Sequence, residues 1–181
     1  MLAAIYNEGE DMLFGLVKSP AECLLKDDRY VIDSYFFERV LAGKVLVKSE
    51  ITEIKLGDIR RRWFDGTVYP LTEVAPYKYL CGDKEAYDDY CLAHNVQFGV
   101  NMQNKGFDNL IKSLDEKGYD EKSIIIIGYD NVIIDGQHRS CYLLHKYGPE
   151  HKIRVLKIKT RKRLSVRVKN FFKKLKKRLF E

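Results

Sequence analysis

Five consecutive residues carry the chemistry in this chain of 181: Asp135, Gly136, Gln137, His138 and Arg139. Three β-branched residues, Val132-Ile133-Ile134, run into them, and a helical pattern with Leu143, Leu144 and Tyr147 on one face follows as far as Gly148. The order reads as a short buried strand, a tight turn and a helix ended by glycine. A helix N-terminus presents free backbone N–H groups and about half a positive charge, so it attracts anions. Gly136 has no Cβ and lets a ligand approach the backbone. His138 and Arg139 would stand in the first turn, where their donors suit phosphate, Arg bidentately. Two basic residues there oppose the helix dipole, which is easier to understand if an anion binds between them. The alternative is that they are solvated, or pair with a carboxylate such as Asp135.

A second constellation overlaps the first. His138, Cys141 and His145 fall at i, i+3 and i+7, near one helical face. Three such residues can bind zinc, but a fourth ligand is not apparent, and Cys141 reads better as a buried structural thiol. The four cysteines, Cys23, Cys81, Cys91 and Cys141, lack paired metal-ligand spacing. Reduced thiols in a cytoplasmic chain are the expectation.

The elements that must position the motif are legible in part. Phe107, Leu110, Ile111 and Leu114 give one apolar helix face closed by Gly118. Ile124 to Ile127 read as a strand buried on both faces. Gly128-Tyr129-Asp130-Asn131 read as a turn, and Ile153 to Ile158 as a returning strand. Val45-Leu46-Val47 reads as a strand. Asp83 would cap a helix carrying Tyr87, Tyr90 and Cys91, residues 64–82 read as a long connection over the site, and residues 95–106 as a loop. Ser19-Pro20-Ala21-Glu22 is a helix start, and a second helix is expected after Asp33. The expected class is α+β: a small mixed β-sheet with packed helices over residues 44–159, an N-terminal helical extension over 1–43, and a tail over 160–181.

Composition sets the outer limits. Apolar content of 45% and 12% aromatics suit a folded chain with a core. No apolar run approaches the roughly 20 residues of a membrane-spanning helix, and the start of the chain does not resemble a secretory signal. Residues 152–181 hold 14 Lys and Arg against one acid, net +13 where the whole chain is +6, so residues 1–151 carry −7. That imbalance argues against a basic folded nucleic-acid surface. Within residues 160–181, Leu164, Val168, Phe171, Phe172, Leu175 and Leu179 form a helical stripe among lysines. A basic amphipathic helix suits an anionic membrane surface, with peripheral association on the inner face. Nucleic-acid phosphates, or a partner subunit covering the stripe, are the other occupants considered.

Asp135-Gly136-Gln137-His138-Arg139 resembles the D-G-x-H-R signature of the ParB/sulfiredoxin-like superfamily. Phe107 to Leu114 resembles that group's preceding helix, and Ile124 to Ile127 its next strand. The resemblance spans about residues 105–158, more faintly 45–62, and does not reach residues 1–43. It implies that Gly136, Gln137, His138, Arg139 and Ser140 hold nucleotide phosphate and that Asp135 positions Mg²⁺ or accepts a proton. It also implies, as in free-serine kinases, a glutamate base, here Glu50 or Glu53. For each, a solvent-facing carboxylate is the favoured alternative. Arg60, in the cluster Arg60-Arg61-Arg62-Trp63, is a further candidate for phosphate, a solvated loop being its alternative. Sulfiredoxin's cysteine before the His-Arg pair is replaced by Gln137, so its redox reaction is not expected. Pro76 to Tyr87 resembles, weakly, relatives from surface-polysaccharide gene clusters. The implied function is an ATP-dependent small-molecule kinase or nucleotide hydrolase, using ATP or another nucleotide with Mg²⁺ on a hydroxyl substrate near a membrane. The alternative is a non-catalytic ParB-like module that senses nucleotide or binds DNA.

Overall fold

A computed structural model describes residues 44–63, 65–98 and 101–162. The helices expected before residue 43 and the helical stripe expected after residue 163 lie outside the described residues. Residues 160–162, expected to begin the tail helix, are strand instead. The chain divides into two compact units, residues 51–157 and residues 1–50 with 158–181. In the second, Lys48 pairs with Glu50 at 3.1 Å. The motif belongs to the first, described below.

The elements are β1 (Lys44–Lys55), β2 (Arg60–Arg62), β3 (Val68–Pro70), α1 (Ala75–Leu80), α2 (Lys84–Phe98), α3 (Asn104–Lys117), β4 (Ile125–Gly128), β5 (Ile133–Asp135), α4 (Gln137–Tyr147) and β6 (Lys152–Lys162). A four-stranded sheet runs in the order β1-β6-β4-β5, and β2 pairs with β3 in an antiparallel ribbon. The class is the α+β arrangement expected.

Most of the local reasons are short-range. All four β4 residues are buried, as an uninterrupted isoleucine run demands of an interior strand. The turn after it closes with Asn131 N–H on the Gly128 carbonyl at 3.0 Å and Gly128 N–H on the Val132 carbonyl at 2.8 Å. Asp83 caps α2, its Oδ1 accepting the Ala86 N–H at 3.1 Å. The α3 face buries Phe107 and Leu114, and the chain leaves the helix at Gly118.

Two expectations about connections change. Residues 64–82 hold a strand, a 3-10 turn and α1 rather than one long loop. Pro76 falls in the first turn of α1, where its missing N–H costs nothing. Helix α2 continues to Phe98, and α3 starts at Asn104, so the expected loop shrinks. Asn95 supports the junction: its side chain donates to the Met102 carbonyl at 2.9 Å and accepts the Met102 N–H at 2.6 Å.

Leu56, Ile59, Leu71, Ile125, Ile127, Leu143 and Val155 meet in the main core, and a second cluster gathers Tyr79, Tyr87, Cys91 and Phe107. Tyr147, expected on the inward face of α4, is instead exposed and stacks on His151 at 4.7 Å, because the last turn of the helix runs past the core. Polar ties hold α3. Tyr79 on α1 donates to Asp108 Oδ1 at 2.7 Å, which with burial lifts its hydroxyl to about 12. Tyr142 and Lys146 on α4 both donate to Asp115. Tyr79→Phe keeps the ring and removes one bond, so urea denaturation should show a loss of about 1 kcal/mol.

Candidate functional site

A cleft of about 430 Å³ opens where α2, α3 and β2 meet the start of α4. It is within the roughly 300–1,000 Å³ usual for small-molecule sites. Ile134, Asp135, Gly136, Gln137, His138 and Arg139 line one side. Perfect strand alternation would put Ile134 and Asp135 on opposite faces. The β4–β5 register shifts here, pairing Ile126 with Asp135 but Ile127 with Ile133. The extra residue is a bulge, and it turns both into the cleft.

Gly136 sits at φ 86°, ψ 23°, the left-handed region. A Cβ there would lie 3.0 Å from Ile125 Cγ1 and 3.2 Å from Arg139 Nη2. Helix α4 starts immediately after it with no side-chain cap. No side chain among the described residues bonds its opening amides, and the residues that carry them, Gln137, His138 and Arg139, line the cleft.

Arg139 is tied on both terminal nitrogens. Nη2 meets Asp135 Oδ2 at 3.2 Å and Nη1 donates to the Ser123 carbonyl. This is the pairing the sequence left open as an alternative. It fixes the guanidinium at the cleft wall and uses two of its five donors. The charge of Asp135 and that of Arg139 largely offset each other.

His138 stands among rings. Its Nε2 and the Tyr87 hydroxyl share a 2.9 Å hydrogen bond, and Phe107 meets the imidazole edge-on at 4.9 Å. Burial is the main reason its pKa falls to about 4, with repulsion from His94, Arg61 and Arg139 added. It is neutral at pH 7, so it offers hydrogen bonding and a face for packing, not the charge expected of it. Burial pushes the Tyr87 hydroxyl up as well.

Four other expected residues are placed elsewhere. Ser140 is fully buried, its hydroxyl donating to the Gly136 carbonyl at 3.0 Å, so it buttresses the turn and does not reach a ligand. Arg60 donates to the Gly57 carbonyl at 3.1 Å, and its backbone N–H bonds Asn131. Glu53 is exposed on β1, at the opposite edge of the sheet from β5, with β6 and β4 between them. Strands lie about 4.8 Å apart, so a residue three strands away cannot act as base at Asp135. Glu50 belongs to the other compact unit, where it pairs with Lys48. Cys141 is buried, its thiol pushed up by burial, while His145 is exposed beside Tyr77, so the i, i+3, i+7 set does not converge. No group of three His, Cys, Asp or Glu among the described residues is placed to hold a metal ion.

The cleft also holds residues outside the motif: Arg61, Tyr87, Tyr90, His94, Gln103 and Phe107. Their signals were in the sequence. Tyr87, Tyr90 and His94 are at i, i+3 and i+7 of α2, one face of a helix. Arg60 and Arg62 share one strand face, and Arg62 pairs with Asp130 at 2.8 Å. Alternation sends Arg61 to the other face, toward the cleft.

No family model, no curated protein and no solved structure matches this chain. Among the described residues, no helix is long and apolar enough to cross a membrane.

Proposed function

We propose that this cleft binds the phosphate end of a nucleotide and that the protein is an ATP-dependent phosphotransferase acting on a small hydroxyl compound. One observation carries the reading: α4 begins uncapped at a glycine, on a cleft also reached by the guanidinium groups of Arg61 and Arg139. Amides and guanidinium groups together are a phosphate-binding set. The aromatic wall of Tyr90 and Phe107 would take a flat, uncharged portion of the ligand. The resemblance of residues 135–139 to the ParB/sulfiredoxin-like motif points the same way.

In such a transfer the substrate oxygen attacks the terminal phosphorus while the bridging P–O bond breaks and the nucleoside diphosphate leaves. Asp135 is the carboxylate of the cleft and would take the hydroxyl proton. Arg139, held by Asp135 and the Ser123 carbonyl, would orient the phosphoryl group. Mg²⁺ normally reaches such sites on phosphate oxygens with one or two protein carboxylates, which is what Asp135 can supply. The basic stretch 160–181 would keep the enzyme at an anionic membrane surface.

A thermal-shift screen of nucleotides with and without Mg²⁺ tests binding, since a ligand held by the native state raises Tm. Asp135→Asn and Arg139→Ala should each lower ATP turnover by about tenfold or more, the loss of one charged contact to the reacting group. Unchanged turnover in both variants removes the enzyme reading. Among the described residues Asp135 is the one carboxylate lining the cleft, which favours a second reading, a non-catalytic nucleotide-sensing module. Saturable nucleotide binding without turnover would select it.

A further inference from the structure

Arg61 is half-buried and faces the cleft, and among the described residues it has no carboxylate partner. Arg62 pairs with Asp130 and Arg139 with Asp135, while Arg60 turns away from the cleft and donates to the Gly57 carbonyl at 3.1 Å. Backbone geometry commits Arg61 to this position. Its neighbour Arg60 bridges to Val132 and hydrogen-bonds Asn131, docking β2 beside β5. A guanidinium partly withdrawn from water without a counter-charge is costly, and it is cheapest to keep where an anion will arrive.

Two imidazoles share that end of the cleft, His94 from α2 and His138 from α4. The groups that share this part of the cleft with His138 are Tyr87, Tyr90 and His94 on α2, Arg61 on β2, Asp135 on β5 and Arg139 on its own helix, with Phe107 from α3 meeting the ring edge-on. Asp135 is the sole acid in this set, and it is spent on Arg139. The remaining balance is positive.

We propose that Arg61, His94 and His138 form an anion subsite whose occupant is a doubly charged terminal phosphate, and that binding it brings a proton onto His138. The inference rests on the phosphate-binding reading above and places the charge it needs on Arg61 rather than on Arg139. Burial first, and then the neighbouring His94, Arg61 and Arg139, keep His138 neutral; a dianion arriving beside the ring favours its charged form and opposes both. The ordinary imidazole pKa is 6.5, well above its value in the free protein, so there is room for uptake near pH 6. The proton comes from solvent and returns there when the anion leaves.

Sulfate is the clean probe, because it stays a dianion across this range while phosphate titrates. Calorimetric titration of sulfate and of ATP into the full-length protein at pH 6, in buffers of different ionisation enthalpy, reads affinity and proton uptake together. The expected result is net uptake of up to about one proton per sulfate and weakening as pH rises. Arg61→Gln should weaken sulfate by about tenfold or more, a charged hydrogen bond lost. Arg154→Gln, which removes an exposed guanidinium paired with Glu121 at 3.3 Å, should leave affinity unchanged. His138→Gln should abolish the uptake. Should that variant not fold, the buffer series on the wild type and Arg61→Gln still decides. Sulfate binding equal in Arg61→Gln and wild type, binding without proton uptake, or no sulfate binding would overturn the subsite. If sulfate binds through Arg61 but ATP binds no better than sulfate, the subsite stands and the nucleotide reading fails.

Discussion

Acidification from pH 7 to pH 4.5 is expected to destabilise the folded chain by about 2.5 kcal/mol more in the wild type than in His138→Gln. The cause is the imbalance between states. Unfolded, the imbalance-free imidazole has its ordinary pKa of 6.5; folded, burial and the nearby cations lower it to about 4. Between these values the unfolded chain binds more protons, so stability rises with pH and is lost as pH falls through 6.5. The loss is complete below about pH 4, where it reaches about 3 kcal/mol. Carboxylates titrate in the same range, which is why the difference between proteins is the quantity to read. Glutamine keeps a polar atom near the Tyr87 hydroxyl and removes the titration. Urea denaturation of both proteins at pH 7 and 4.5 measures the effect. Parallel losses would show that the imidazole is as well hydrated in the fold as out of it.

Gly136→Ala should lower stability by about 2 kcal/mol and weaken any ligand of the cleft. A non-glycine residue in the left-handed region costs on the order of 1–3 kcal/mol. The new methyl would also meet Cγ1 of Ile125, the fully buried first residue of β4, at 3.0 Å, and Arg139 Nη2 at 3.2 Å. Isoleucine in a packed strand cannot move aside, so the strain passes to Arg139 and loosens its bond to Asp135. For a chain of this length 2 kcal/mol corresponds to a Tm drop of about 4–8 °C. Gly106→Ala is the contrast. Gly106 lies in α3 with open space where a Cβ would go, so alanine there should stabilise by up to about 1 kcal/mol. Differential scanning calorimetry of the two variants separates them. A fall at Gly106 equal to that at Gly136 would mean that neither depends on backbone geometry.

Both results concern the turn that the sequence picks out most clearly. Asp135-Gly136 after an isoleucine run, with Gly148 eleven residues past the helix start, leaves few alternatives to strand, turn and helix, because each signal is local. The same is true of β4 and α3, whose residues repeat at the period of their own element. The partners within the cleft were not legible in that way. Whether Arg139 meets a ligand or Asp135 depends on how the bulge turns Asp135, and a bulge is a property of two strands paired together. Whether Arg60 or Arg61 reaches the cleft depends on β2 docking beside Val132. Glu53 is set apart from Asp135 by the order of four strands, which no spacing in the chain records. By itself, the sequence determined which residues open α4 and that a glycine precedes them. Only the tertiary structure decided which cleft arginine lacks a carboxylate among the described residues and that His138 is neutral, because pairing and burial depend on distant groups the fold brings together, such as Arg62 with Asp130 and Tyr87 with His138.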